Sequence, residues 1–257
     1  MENRITSLLK KKKENILSIY FTAGYPALDD TVSIITELEN CGADLIEIGI
    51  PFSDPVADGP VIQRSSEIAL RNGMSIQLLF EQLKEIRNHV SIPLILMGYI
   101  NPVMQFGIED FCLRCRETGI DGTIIPDLPL EVYEEEYKEV FERNSLCNIF
   151  LITPQTIDER IRKIDALSNG FIYMVSSSST TGAKGSVDQE QIAYFARIQD
   201  LNLRSPRLIG FGISDKATFG RASSYANGAI IGSAFISALK GAEPVKSKVK
   251  LFMDEFH

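Results

Sequence analysis

The sequence predicts an α/β fold, a closed (β/α)8 (TIM) barrel, on three observations. Short apolar, β-branched runs recur along the chain, about eight in all, and amphipathic stretches separate them. Gly, Pro, Asp and Asn collect on one side of this alternation, immediately after the runs. Each run is almost continuously hydrophobic, as parallel strands covered on both faces are. Eight strand–helix repeats favour closure over an open doubly wound sheet. No linker rich in Ser, Gly or Pro interrupts them, so residues 1–257 are read as one barrel domain.

Residues 1–14 read as an extra N-terminal helix whose end carries Lys10 to Lys13, where cations suit the negative end of the helix dipole. This segment lacks the apolar core of a signal peptide. Strands are expected at residues 16–22, 45–51, 93–99, 122–126, 148–153, 171–175, 207–212 and 228–232. Helical periodicity marks residues 29–41, 75–89, 131–143, 188–200 and 215–225, and a short helix is expected to open at Ser233 after the eighth strand. The punctuation follows the strands: Thr22-Ala23-Gly24-Tyr25-Pro26 after the first, Gly98-Tyr99-Ile100-Asn101-Pro102 after the third, Pro126-Asp127-Leu128-Pro129 after the fourth. Barrels carry their chemistry on these loops.

Within the second strand, alternation puts Ile46, Ile48 and Ile50 on one face and Leu45, Glu47 and Gly49 on the other. The aliphatic face packs on helices, so Glu47 points into the barrel near its catalytic rim. No basic residue lies close in sequence to neutralise it. Loss of hydration then raises its pKa towards neutrality and lets it hold or exchange a proton. The loop that follows carries Asp54 and Asp58, expected to stay solvated and ionised. Taken alone, each Asp fits either a turn hydrogen bond or a functional role. Two acids in different environments suggest acid/base catalysis.

Gly/Ser-rich segments at residues 176–185, 210–214 and 232–234 follow strands six, seven and eight, and the last two occupy the usual phosphate-binding position of this architecture. Backbone N–H groups and a helix N-terminus at Ser233 would supply the grip. Residues 176–185 fit either a loose connection or a lid closing over ligand. The net charge of −8, from 34 acidic and 26 basic residues, counts against a nucleic-acid surface, so any phosphate must be held locally. No apolar run approaches the roughly 18 residues that span a membrane. Cys112 and Cys115 sit i, i+3 in a helical segment without a second pair or a nearby His, which reads as packing; with Cys41 and Cys147 they suggest a reduced, cytoplasmic protein.

These features together closely resemble the tryptophan synthase α subunit family, almost end to end. The most specific signature is Leu45-Ile46-Glu47-Ile48-Gly49-Ile50-Pro51-Phe52-Ser53-Asp54-Pro55-Val56-Ala57-Asp58-Gly59-Pro60, supported by Gly210-Phe211-Gly212-Ile213-Ser214 and Gly228-Ala229-Ile230-Ile231-Gly232-Ser233. The resemblance implies cleavage of indole-3-glycerol phosphate to indole and glyceraldehyde 3-phosphate, in tryptophan biosynthesis. Glu47 would be the acid/base and Asp58 would hold the indole N–H. Gly182, Gly212, Gly232 and Ser233 would bind phosphate, with Phe211 beside it. Tyr20, Ile62, Met97, Tyr99, Ile124 and Tyr173 would wall the indole pocket, and Thr181 would bond Asp58 on closure. Asp54, Pro55 and Asn101 would face the β subunit of an α2β2 heterotetramer. Pyridoxal phosphate would belong to that partner, and this chain would need no cofactor. Ser179 and Thr180 depart from the Gly-Val usual in the family's lid.

Rival readings are a phosphate-binding sugar isomerase or epimerase, and a catalytically silent barrel that only binds a partner. A Schiff-base aldolase is disfavoured because Lys84, Lys138, Lys163, Lys184 and Lys216 fall in helices or loops. A metal-dependent enzyme is disfavoured because His89 and His257 sit at a helix end and the chain terminus. The silent barrel would have no need of both Glu47 and Asp58.

Overall fold

The computed structural model describes residues 2–176, 189–210 and 212–256. Eight parallel strands pair in chain order and close on themselves. They are β1 Ile16–Thr22, β2 Leu45–Gly49, β3 Leu94–Met97, β4 Gly122–Ile124, β5 Cys147–Ile152, β6 Ile172–Val175, β7 Arg207–Gly210 and β8 Gly228–Ile231. The expected strands are all present. Several end earlier than expected at the mouth, and β2 stops at Gly49, ahead of Pro51, which has no N–H for the ladder.

The helices are α1 Arg4–Lys11, α2 Asp30–Asn40, α3 Pro60–Arg71, α4 Ile76–Leu83, α5 Ile100–Phe106, α6 Ile108–Thr118, α7 Leu130–Val132, α8 Lys138–Arg143, α9 Asp158–Leu167, α10 Gln189–Asp200, α11 Lys216–Ser223, α12 Ser233–Ala238 and α13 Val245–Met253. The long helix expected over 131–143 is instead broken by a π turn at Tyr133–Tyr137, and that over 75–89 ends in a separate 3-10 turn at Ile86–Asn88. Helices α3, α5, α9 and α13 fall outside the expected stretches. In α3 the buried face is made by Ile62, Ser65, Ser66 and Ala69. Among the described residues no helix is long and apolar enough to cross a membrane.

Register shows how the interior is layered. One ring runs Tyr20, Glu47, Ile95, Gly122, Cys147; the next, nearer the mouth, runs Thr22, Gly49, Met97, Ile124, Ile149. Helix α1 starts with a capping box, in which Asn3 accepts from the Thr6 N–H and Thr6 Oγ1 accepts from the Asn3 N–H. It covers the opposite end of the barrel. Ile5 is fully buried there, and a Cβ on Gly122 would lie 2.8 Å from its Cδ1.

Asp121 organises that closed end. It accepts from Arg87 Nη2 at 2.7 Å, Arg4 Nη1 at 3.1 Å and the Leu94 N–H at 3.0 Å. Arg87 also donates to the Gly119 and Ile92 carbonyls at 2.6 and 2.7 Å, tying β3 and β4 together at their starts. Burial lowers the Arg87 pKa to about 10, which still leaves it cationic. Removing Asp121 strands the largely buried Arg87 guanidinium, while exposed Arg4 is left to water. Asp121→Ala should therefore cost about 3–5 kcal/mol in urea denaturation, while activity per folded molecule at the far mouth stays within about twofold of the parent.

Candidate active site

Strand β2 brings Glu47 into the barrel interior, as its alternation requires, and the side chain is fully buried. Oε1 accepts from Ser18 Oγ on β1 at 2.8 Å, and Oε2 is buried with no hydrogen-bond partner among the described residues. No cation offsets the charge among the described residues. Burial therefore dominates and lifts the Glu47 pKa to about 8, with the Ser18 hydrogen bond pulling the other way. The carboxyl is mostly protonated at neutral pH.

Asp58 departs from expectation. It was expected to remain solvated on the loop after β2, yet it is 9% exposed, and burial raises its pKa to about 6. It remains largely ionised at neutral pH. The loop folds inward because Tyr99, at the end of β3, captures it twice. Tyr99 Oη accepts from the Ala57 N–H at 3.0 Å and donates to Asp58 Oδ2 at 3.1 Å. Gln63, in the first turn of α3, adds a bond from Nε2 to the Asp58 carbonyl at 2.9 Å. Asp54, on the same loop, is exposed.

Tyr20 and Tyr173 stand around the two acids. The hydroxyls of both are raised well above the usual tyrosine range, first by burial and then by the negative charge of Asp58 and Glu47. Their rings require glycine neighbours: a Cβ on Gly49 would fall on the Tyr20 hydroxyl, and one on Gly210 would fall on the Tyr173 hydroxyl. Met97 and Ile124 lie on the inner face of adjacent strands in register with Gly49, and Ile62 of α3 is buried. Thus Tyr20, Met97, Tyr99, Ile124 and Tyr173 all sit on the expected strands or just after them. Sequence reasoning missed Ser18, Gly49 and Gly210. A Ser among apolar residues on an inner face is the signal that was present for Ser18.

On the other side of the mouth, Gly212 is exposed with φ +75 after β7. Gly232 and the exposed Ser233 open α12 after β8. Thr181, Gly182 and Phe211 lie outside the described residues, as does nearly all of the 176–185 segment. Outside the mouth, a groove of about 700 Å³ runs between the β2 loop and α3, lined by Asp54, Pro55, Val56, Arg64 and Leu70 among others. Val56 is 86% exposed, and Asn101 and Met104 of α5 are also exposed. The two Cys of α6 are buried and unbridged, in keeping with packing.

Known proteins match this chain over nearly its whole length. The family model described as the tryptophan synthase alpha chain matches residues 6–256. The tryptophan synthase alpha chain of Flavobacterium psychrophilum is 60% identical over 253 residues, covering 98% of this chain and 99% of that one. That of Christiangramia forsetii is 60% identical over 250 residues, covering 96% and 97%. Among solved structures, the alpha chain from Legionella pneumophila superposes with a TM-score of 0.88 at 32% identity, covering 100% of this chain and 96% of that one. The alpha subunit from Pyrococcus furiosus gives 0.86 at 33%, covering 95% and 98%. A buried inner Glu and a loop Asp at one mouth, in a barrel that these proteins match from end to end, make this chain a member of the tryptophan synthase alpha chain family.

Proposed function

We propose that Glu47 and Asp58 divide between them the lyase chemistry of this family, cleavage of indole-3-glycerol phosphate to indole and glyceraldehyde 3-phosphate. The observation that carries this division is a pair of carboxyls at one mouth in different settings: Glu47 is fully buried against a single hydroxyl and raised to about 8, whereas Asp58, at the loop and bonded to Tyr99, is raised only to about 6. Neutral Glu47 gives its proton to the indole carbon that bears the glycerol chain. The ring becomes cationic, and ionised Asp58, accepting from the ring N–H, stabilises that charge. Glu47 is now a carboxylate in a site that hydrates it poorly, and so a strong base. It takes the proton of the adjacent chain hydroxyl as the C–C bond breaks, its electrons returning to the ring. Indole and the aldehyde leave, and Glu47 is protonated again.

Tyr20, Ile62, Met97, Tyr99, Ile124 and Tyr173 would flank the planar indole. Gly182, Gly212, Gly232 and Ser233 would hold the phosphate, with Phe211 beside it, and Thr181 would bond Asp58. The support for this half is the position of the Gly-containing turns after β7 and β8, together with family membership.

An alpha chain works with a beta chain as its partner. The face made by exposed Asp54 and Asn101 with half-buried Pro55, widened by Val56 and Met104, is our assignment for that contact, in an α2β2 assembly. Pyridoxal phosphate is assigned to the beta chain on the family resemblance; in the cleavage described above protons pass between Glu47 and the substrate, and one electron pair moves within the substrate.

Glu47→Gln should lower indole formation by about 10²–10⁴-fold, while calorimetric binding of glycerol 3-phosphate stays near the parental affinity. Near-parental indole release would remove Glu47 from the acid/base role. Asp58→Asn should lower kcat/KM by about 10²–10³-fold, and a parental rate in that variant would cancel its assignment. The pH profile follows from the signs. Asp58 must be ionised, so kcat/KM rises with pH through about 6; Glu47 must be protonated, so it falls through about 8. A profile flat between pH 5 and 9 would contradict the division of roles.

A further inference from the structure

We infer that Ser18 is a positioning residue for Glu47, whose hydroxyl fixes one carboxyl oxygen so that the other carries the transferable proton. This rests on the acid/base reading of Glu47 given above. Ser18 faces the barrel interior, paired in register with Leu45 and Ile230 and completely buried. A hydroxyl in that layer gains nothing from apolar packing and must find a partner. Its partner among the described residues is Glu47 Oε1, at 2.8 Å. Its donation marks Oε1 as the carbonyl oxygen of the neutral acid. The acidic hydrogen is thereby left on Oε2, the buried oxygen without a partner among the described residues.

The geometry serves both halves of the reaction. In the first, the proton leaves Oε2 for the ring carbon, and the new carboxylate keeps the Ser18 hydrogen bond on Oε1, which is stronger to an anion than to a neutral group. In the second, Oε2 receives the hydroxyl proton. Ser18 gains and loses nothing, and the carboxyl does not rotate between steps. The connection joins adjacent strands at a sequence separation of 29. Rigid elements hold a catalytic group more precisely than loops do.

The test compares Ser18→Ala, which keeps the volume small, with Ser18→Thr, which keeps the hydroxyl. The alanine protein should lose about tenfold or more in kcat with KM within about twofold. Its alkaline limb should move to higher pH, because the hydrogen bond favouring the carboxylate is gone. The other titratable groups facing Glu47 do not confuse that limb. Asp58, on the loop after β2, governs the acid side, while Tyr20 of β1, Tyr173 of β6 and Tyr99 after β3 are all raised above the ordinary tyrosine value. Ser18→Thr should restore both rate and limb, a rescue that simple packing by Ser18 would not require. If Ser18→Ala does not fold, Ser18→Cys, a weaker donor, should give a smaller shift in the same direction. An unchanged or raised kcat with an unmoved limb overturns the inference. Glu47→Gln measured alongside separates the two ideas. Inactive Glu47→Gln beside fully active Ser18→Ala removes only Ser18, whereas active Glu47→Gln removes the acid/base reading itself.

Discussion

A carboxyl group buried without a cation is the constraint around which the rest of this barrel is arranged. Water would stabilise the Glu47 anion, and the interior does not replace that hydration. Folding therefore favours its neutral form. With the pKa raised from an ordinary 4.5 to about 8, the group's contribution to stability is fully present below the unfolded value and is lost as pH rises through the folded one. At neutral pH the protein is already on that slope. The same desolvation makes the neutral acid available as a proton donor and its conjugate base reactive, so destabilisation and catalysis share one cause.

The opposite end of the barrel holds the counterexample. Asp121 is as deeply buried, at 2% exposure, but two guanidinium groups and a strand N–H surround it. Its oxygens are occupied, whereas among the described residues Glu47 has one oxygen bonded to a neutral hydroxyl and the other to nothing. Two carboxyls of similar burial thus differ by what they can do. The first joins the starts of β3 and β4 and meets α1; the second is left reactive. A parallel barrel makes this division natural, because all strand starts lie at one end and all strand ends at the other.

The inward turn of Glu47 was legible because it depends on a two-residue period inside one strand. The eight strands were legible because burial on both faces leaves continuous apolar runs. Asp58 was misjudged as solvated for the opposite reason: its burial is imposed by Tyr99, 41 residues away, and nothing within the Pro/Asp/Gly loop encodes that. Gly49 and Gly210 looked like ordinary strand-end punctuation, and only the packed tyrosines reveal that their missing side chains make room for two hydroxyls. The buried face of α3 includes two serines, and one of them, Ser65, meets Thr22 of β1 at 2.7 Å, a contact that no local pattern announces. What the chain conceals is long-range contact among polar groups, and the site is built largely from such contacts.

The loop after β2 places the two ends of this logic within a few residues of each other. Val56 projects into solvent, the neighbouring Ala57 N–H is held by Tyr99 Oη, and the same hydroxyl donates to Asp58. Phe52 packs on the Tyr99 ring with centroids 5.2 Å apart, closing the loop onto a single side chain. A displacement of the exposed segment must therefore either break the Ala57 bond or carry Tyr99 with it. The hydroxyl that anchors the loop also donates to Asp58, a hydrogen bond that partly counters its desolvation. The ionisation of Asp58 thus depends on the conformation of an exposed loop, whereas that of Glu47 is set inside the barrel by β1 and β2. The acid that exchanges the proton is insulated from the surface, and the acid that stabilises the cation is coupled to it.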